Sequence, residues 1–402
     1  MPNRPPDHRP LERRFNSLYF WSYWLLGIQM TFLNLWLKRE GLSGTAIGAL
    51  AAVMSAVAIV FTPILGPRFD SSRRQPSFLA LLCVLSGLLY AVFAFKLPFW
   101  AMALAMAGLS FCWTPITPFM NSMALHSRAA AAASRGFGGY RRWGSFGFAV
   151  AGAVSGWLSW ATGLWIIFPA YLLCALITAL LAYGIPRDSV TPHAEKGDFY
   201  PAMLQLVRLP VFRSLALLSF VYAIGNSICW GFRSIYLDSI GIPERHIGQL
   251  WFAPIFAEML ILTFNDRLIA RFGAPRLVLA GTVSGGIRWL LLSSVHSLPA
   301  VYAVEILHGV SFALYIVGYM EIIKHLIPAR LSTTSQLLLS SSAAGTGGAL
   351  GALVGGVMFD SVGVVPQLRI GGVLLALSGL LAPRLWSDPY HGSDRERGRI
   401  PA

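Results

Sequence analysis

Apolar runs of about 20 residues, the length that crosses the hydrocarbon core of a bilayer, recur along the whole chain. Inside lipid every backbone N–H and C=O must find a partner within the protein, so such runs become helices. Twelve are apparent, at approximately 15–37, 45–66, 77–96, 98–120, 141–161, 163–184, 211–237, 247–268, 276–295, 299–323, 334–358 and 363–383. Hydrophobic residues fill 55% of the 402 positions and charged residues 12%, too apolar a balance for a soluble domain.

Charge placement tests that reading. Of 31 Lys and Arg, 24 fall on one side of a twelve-span topology and five on the other (Lys38, Arg39, Lys96, Arg245, Arg369), while Arg233 and Arg288 lie within spans. Basic residues collect on the cytoplasmic side. Both termini are therefore expected in the cytoplasm, and the protein in a bacterial-type inner (plasma) membrane. The formal charge of +14 does not point to nucleic acid, because insertion alone explains basic inner loops. A Pro- and Arg-rich start runs into a full-length span without a small-residue cleavage site, which argues against a signal peptide. Cys83, Cys112, Cys174 and Cys229 lie within spans at no metal-ligand spacing and read as apolar packing.

A polar stretch at roughly 185–210 divides the spans six and six. The predicted fold is an all-α membrane protein of twelve transmembrane helices in two six-helix bundles. Its parts are a tail (1–14), a first bundle (15–184), a cytoplasmic linker (185–210), a second bundle (211–385) and a second tail (386–402). No strong internal identity between the halves is apparent by eye.

Several polar residues interrupt the apolar spans. Gln29 and Asn34 lie deep in the first, Asn226 in the seventh and Gln336 in the eleventh, each as interhelical glue or as a ligand contact. Ser43 or Thr45 is placed to cap the second span. Pro115 and Pro118, followed by Asn121, should bend the end of the fourth. Arg233 and Asp238 sit near the outer end of the seventh, where Arg233 can snorkel.

Two stretches carry a family resemblance. Gly66-Pro67-Arg68-Phe69-Asp70, followed by Arg73-Arg74, resembles the loop between spans two and three of the major facilitator superfamily. There the carboxylate can bond a helix N-terminus and the arginines face the anionic inner surface, which makes the loop a gate latch. Arg141-Arg142-Trp143-Gly144-Ser145-Phe146-Gly147-Phe148, opening the fifth span, resembles the branch containing lactose permease, nucleoside–proton symporters and 3-phenylpropionate permeases. In lactose permease the arginine matching Arg141 binds sugar hydroxyls with a fourth-span carboxylate as its partner; this chain has Asn121 near that place.

The strongest chemical signal is a set of ionisable residues at membrane depth, which insertion makes costly and which usually mark a transport pathway. Glu258 lies about 16 Å from the outer end of the eighth span, and Arg288, Glu305 and His308 about 9–14 Å from theirs. Glu305 and His308 are three apart and share a helix face. Burial favours a protonated carboxyl and a nearby arginine an ionised one, so moving the arginine, or the arrival of substrate, can switch proton occupancy. The alternative is a static ion pair that fixes helix packing. The set is also similar to that of lactose permease, with the last pair reversed, and Leu307-His308-Gly309 and Gln336 follow the phenylpropionate-type branch.

The expected function is proton-coupled symport of a small organic solute, an aromatic carboxylate among the candidates, by alternating access. Glu258, Arg288, Glu305 and His308 would couple protons. Arg141, Asn34, Gln29, Asn121, Asn226 and Gln336 would contact substrate, and Gly66, Asp70, Arg73 and Arg74 would form the gating loop. No cofactor beyond the proton gradient and no metal is expected, and the protein should act as a monomer. A proton-driven exporter of sugars or drugs is the second reading. A membrane receptor or enzyme is a remote third, since no nucleophile–base grouping, metal spacing or nucleotide loop is present in the sequence.

Overall fold

The structure, a computed structural model, describes residues 9–127, 138–190, 199–327, 338–339 and 345–385. Among these, regular structure is helical, with one isolated antiparallel bridge between Ser127 and Val190. The α-helices of at least six residues are α1 (Arg9–Arg39), α2 (Gly44–Asp70), α3 (Gln75–Ala91), α4 (Phe99–Trp113), α5 (Ile116–Leu125), α6 (Gly138–Thr162) and α7 (Ile167–Tyr183), then α8 (Phe199–Arg208), α9 (Pro210–Trp230), α10 (Arg233–Ser239), α11 (Glu244–Gln249), α12 (Phe252–Thr263), α13 (Asn265–Phe272), α14 (Ala274–Leu292), α15 (Leu298–Leu326), α16 (Gly345–Val362) and α17 (Val364–Ser378).

Eight of the segments are long and apolar enough to cross a membrane on their own composition. The other four spans are α1, α6, α14 and α16. The first three carry arginines, and six of the eighteen residues of α16 are glycine, which lowers their apolarity without shortening them. The fourth span breaks into α4 and α5 at Thr114-Pro115, as its prolines require. The seventh breaks between α9 and α10 without a proline. The polar connection contains α8, whose Leu206 is fully buried in a core with Val211, Leu215, Val278 and Ile322.

Two compact units result. The first comprises residues up to Leu42, Ala56–Lys196 and Leu237–Phe252; the second comprises Ser43–Ser55, Gly197–Tyr236 and the residues from Ala253 onward. In the first, α1 lies along α6, and a Cβ on Gly27 would stand 2.8 Å from that of Ala151. Tyr90 of α3 stacks on Tyr171 of α7 at 4.0 Å. In the second, Gly281 of α14 meets the backbone of Ser311 and Tyr315 on α15. Small residues let apolar helices approach closely where lipid supplies no hydrophobic drive. All four cysteines are buried and unbridged.

The structure draws out an internal repeat that the residues alone did not expose. Leu37, Gly41, Ile47, Gly48 and Leu50 recur 200 positions later as Leu237, Gly241, Ile247, Gly248 and Leu250. The turns match bond for bond. Leu42 N–H donates to Leu37 C=O at 3.1 Å and Ile242 N–H to Leu237 C=O at 3.0 Å, with Gly41 and Gly241 both at positive φ. The helix crossings match as well. Within the second unit, Gly48 lies against Ala352 and Gly356; within the first, Gly248 lies against Gly152.

The start of α2 is capped twice. Ser43 Oγ accepts from the Ala46 N–H at 3.1 Å, as its sequence position suggests. Asp360, at the end of α16, accepts from the N–H groups of Gly44 and Thr45 and from the Thr45 hydroxyl, each at 2.7 Å. Asp360→Ala should therefore lower stability by about 1–2 kcal/mol, as cap removal does elsewhere. Thermal unfolding of the purified protein reads this, and an unchanged midpoint would count against the cap.

Candidate functional site

Glu305 is the centre of the charged set. It lies on α15, 1% exposed, and both its oxygens are engaged. Arg288 Nη2 of α14 donates to Oε2 at 2.8 Å. Arg233 Nε of α10 donates to Oε1 at 2.9 Å. Two buried guanidinium groups thus share one buried carboxylate. The close approach of α14 and α15 at Gly281 brings the first pair together, since neither helix could reach the other past a larger side chain.

Aromatic rings surround this triad. The Arg288 guanidinium lies 4.1 Å over the Trp289 ring and 6.0 Å from that of Trp230. His308, one turn beyond Glu305 and half-buried, stands 5.1 Å from the Trp230 ring and 6.3 Å from Phe312. Glu258 sits half-buried on α12, which crosses α15 at Gly309; a Cβ there would stand 2.9 Å from the Glu258 backbone nitrogen. The ion-pair partner of Arg288 is Glu305, not Glu258.

The expected snorkelling of Arg233 needs correction. Its residue exposure is 2%, and it turns inward to Glu305 instead of outward to the membrane surface. Sequence position alone suggested the opposite, because Arg233 lies only a few residues from the end of its span. Its one legible signal was that it belonged, with Arg288, to the two basic residues inside spans. Asp238, five residues on, pairs with Arg39 at 2.5 Å, and Arg39 also holds Glu244 at 2.6 Å.

Of the remaining substrate-contact candidates, Arg141, Asn121, Gln29 and Asn34 belong to the first unit and Asn226 to the second. Arg141 is exposed at the start of α6, with its guanidinium 5.0 Å over the Tyr23 ring of α1. Tyr19 stacks between Tyr23 and Tyr140, and its hydroxyl donates to Asn121 Oδ1 of α5 at 2.7 Å. Gln29 is buried on α1 and Asn34 half-buried further along it; Asn226 is half-buried on α9. Gln336 lies outside the described residues.

Gly66 lies in the last turns of α2, and Arg73 and Arg74 are exposed beyond it. Asp70 accepts from the Ser122 hydroxyl of α5 at 2.6 Å, and its backbone carbonyl from Gln75 Nε2 at 2.9 Å. The acid found capping a helix in the second unit is Asp360, at the other end of α2. Glu321 pairs with His325 at 2.6 Å and Lys324 at 3.6 Å near the end of α15, as a surface group.

Comparison with known proteins identifies the family and the fold. The profile of the MFS_1 like family matches residues 13–369. The chain is 28% identical over 371 residues to a maltose permease of Geobacillus stearothermophilus, covering 90% of each protein. It is 27% identical to a probable 3-phenylpropionic acid transporter of Escherichia coli, covering 92% of this chain and 94% of that one. The solved structure of the nucleoside transporter NupG superposes with a TM-score of 0.82 at 16% identity, covering 94% of this chain and 99% of that one. An inward-facing bacterial homologue of the lysosomal transporter Spinster superposes with a TM-score of 0.73. With twelve spans, the superfamily's fold and a family match over most of its length, the chain belongs to the MFS_1-like transporters of the major facilitator superfamily.

Proposed function

We propose that this transporter is a proton-coupled symporter of a small organic carboxylate, with an aromatic acid as the favoured class. The observation that carries the reading is the sharing of Glu305 by Arg233 and Arg288 beside His308 and Trp230. Ionisable groups this deep are retained against a large insertion cost, which suits a transport role. Glu305 can take a proton only after a guanidinium leaves it. A substrate carboxylate offers the departing arginine a new partner, so substrate arrival and proton uptake are linked. The neighbouring rings suit an aromatic body, and a relative named a probable 3-phenylpropionic acid transporter points the same way.

A disaccharide is the second reading, favoured by the relative named a maltose permease and by Arg141 beside Tyr23 and Asn121. In both readings the helices form two six-helix bundles in the inner membrane, with cytoplasmic termini, and act as a monomer. Asp70 with Arg73 and Arg74 serves as the inner gating loop.

Proteoliposomes enclosing a pH dye provide the test. External 3-phenylpropionate should acidify the interior in protein-containing vesicles, whereas maltose or uridine should not. Interior alkalinisation would indicate antiport, and a response to maltose alone would select the sugar. Flux of 3-phenylpropionate without proton movement would end the coupling claim.

A further inference from the structure

The seventh span is interrupted at Trp230-Gly231-Phe232, between α9 and α10. In a continuous helix the Ile228 carbonyl would accept from the Phe232 N–H. Here that N–H bonds instead to Cys229 C=O at 3.1 Å. The freed Ile228 carbonyl accepts from Gln367 Nε2 of α17 at 2.7 Å. Gln367 is fully buried, and its Oε1 has no hydrogen-bond partner among the described residues. Next to it, Cys229 Sγ donates to Leu368 C=O at 3.4 Å. The end of α9 is thus fixed to α17 just before the break, and Arg233 is the first residue of α10 just after it.

The internal repeat supplies a control. At the matching place in the first half, Met30-Thr31-Phe32, helix α1 runs unbroken from Arg9 to Arg39. The residue matching Gln367 there is Ile167, and the one matching Arg233 is Leu33. The break, the amide that satisfies it and the arginine it presents occur together in one half.

We propose that Gln367 is a positioning residue for the coupling centre: by holding the Ile228 carbonyl it sets the break in the seventh span and so aims Arg233 at Glu305. A backbone carbonyl freed at membrane depth needs a partner inside the protein, and Gln367 is that partner. Without the donor, the chain either closes the break into continuous helix or lets it wander, and in both cases Arg233 leaves its place. This assignment builds on the reading of Glu305 as the coupling carboxylate, but the hinge can be tested without it.

Hydrogen–deuterium exchange on the purified full-length protein at pH 5 is the experiment. Gln367→Met removes the donor at nearly constant size, and Gln367→Glu, protonated at that pH, keeps one. In Gln367→Met the amides of residues 231–236 should change their exchange rate about ten-fold, with α14 and the rest of α17 unchanged. Gln367→Glu should stay within about two-fold of the parent. Exchange in Gln367→Met equal to the parent, a change spread evenly over the second unit, or a Gln367→Glu protein that behaves as Gln367→Met would each overturn the proposal. If these exchange results hold while Glu305→Gln leaves proton-driven accumulation intact, the coupling role of Glu305 fails and the hinge stands.

Discussion

Glu305→Gln should be the most damaging single substitution in the second unit. It leaves Arg233 and Arg288 buried, at 2% and 1% exposure, without the carboxylate that both contact. Removing one partner of a buried ion pair costs about 3–5 kcal/mol, because the charge left behind stays desolvated. The unfolding temperature should fall accordingly. Adding Arg233→Gln should recover part of the loss, since one buried cation is then removed. Transport should divide as well. Accumulation against a gradient should disappear while counterflow exchange, which needs no net proton movement, survives. A Glu305→Gln protein that accumulates substrate as well as the parent would remove Glu305 from the coupling mechanism.

The second large effect is expected at the glycine crossings. A Cβ on Gly248 would collide with the Gly152 carbonyl oxygen, and one on Gly48 with that of Ala352. Gly248→Leu or Gly48→Leu must separate the helices that meet there. Overpacking of this kind costs about 1–3 kcal/mol, which depopulates the close-packed state roughly 5- to 150-fold. A transporter that passes through that state in every cycle should lose uptake by a comparable factor while remaining folded. Wild-type uptake by Gly248→Leu would mean that this crossing need not form during transport.

The fold was legible because lipid imposes one simple demand, and hydropathy with arginine placement answers it span by span. Even α1 and α6, which carry arginines and fall short of the apolarity of the other spans, were legible as apolar runs at 15–37 and 141–161. The pairing of Arg288 with Glu305 was half legible: similar depth on successive helices made it possible, and the Gly281 contact made it real. Arg233 was misread because its partner lies 72 positions away on a helix its own neighbours do not indicate. The break before it has no proline to announce it, and Gly231, in a span that also holds Gly225 and several serines, carries no message. Gln367 was overlooked for the same reason: its meaning depends on a carbonyl 139 positions distant. Asp360 drew no reading from the sequence, because its two amide partners lie more than 300 positions away.

The 200-residue repeat bears on ancestry. Such correspondence of turns and crossings is what duplication of a half-length ancestor leaves behind. The two copies kept the joints alike, down to matching glycines, but not the contents. Leu33 stands where Arg233 does, and α3 and α4, the counterparts of α14 and α15, hold no Asp, Glu, Lys, Arg or His at all. The joints are thus common property of both halves, and the ionisable residues of these helices belong to one. Grafting the second copy's ionisable residues into the first would ask whether an older, symmetric ancestor had two such centres.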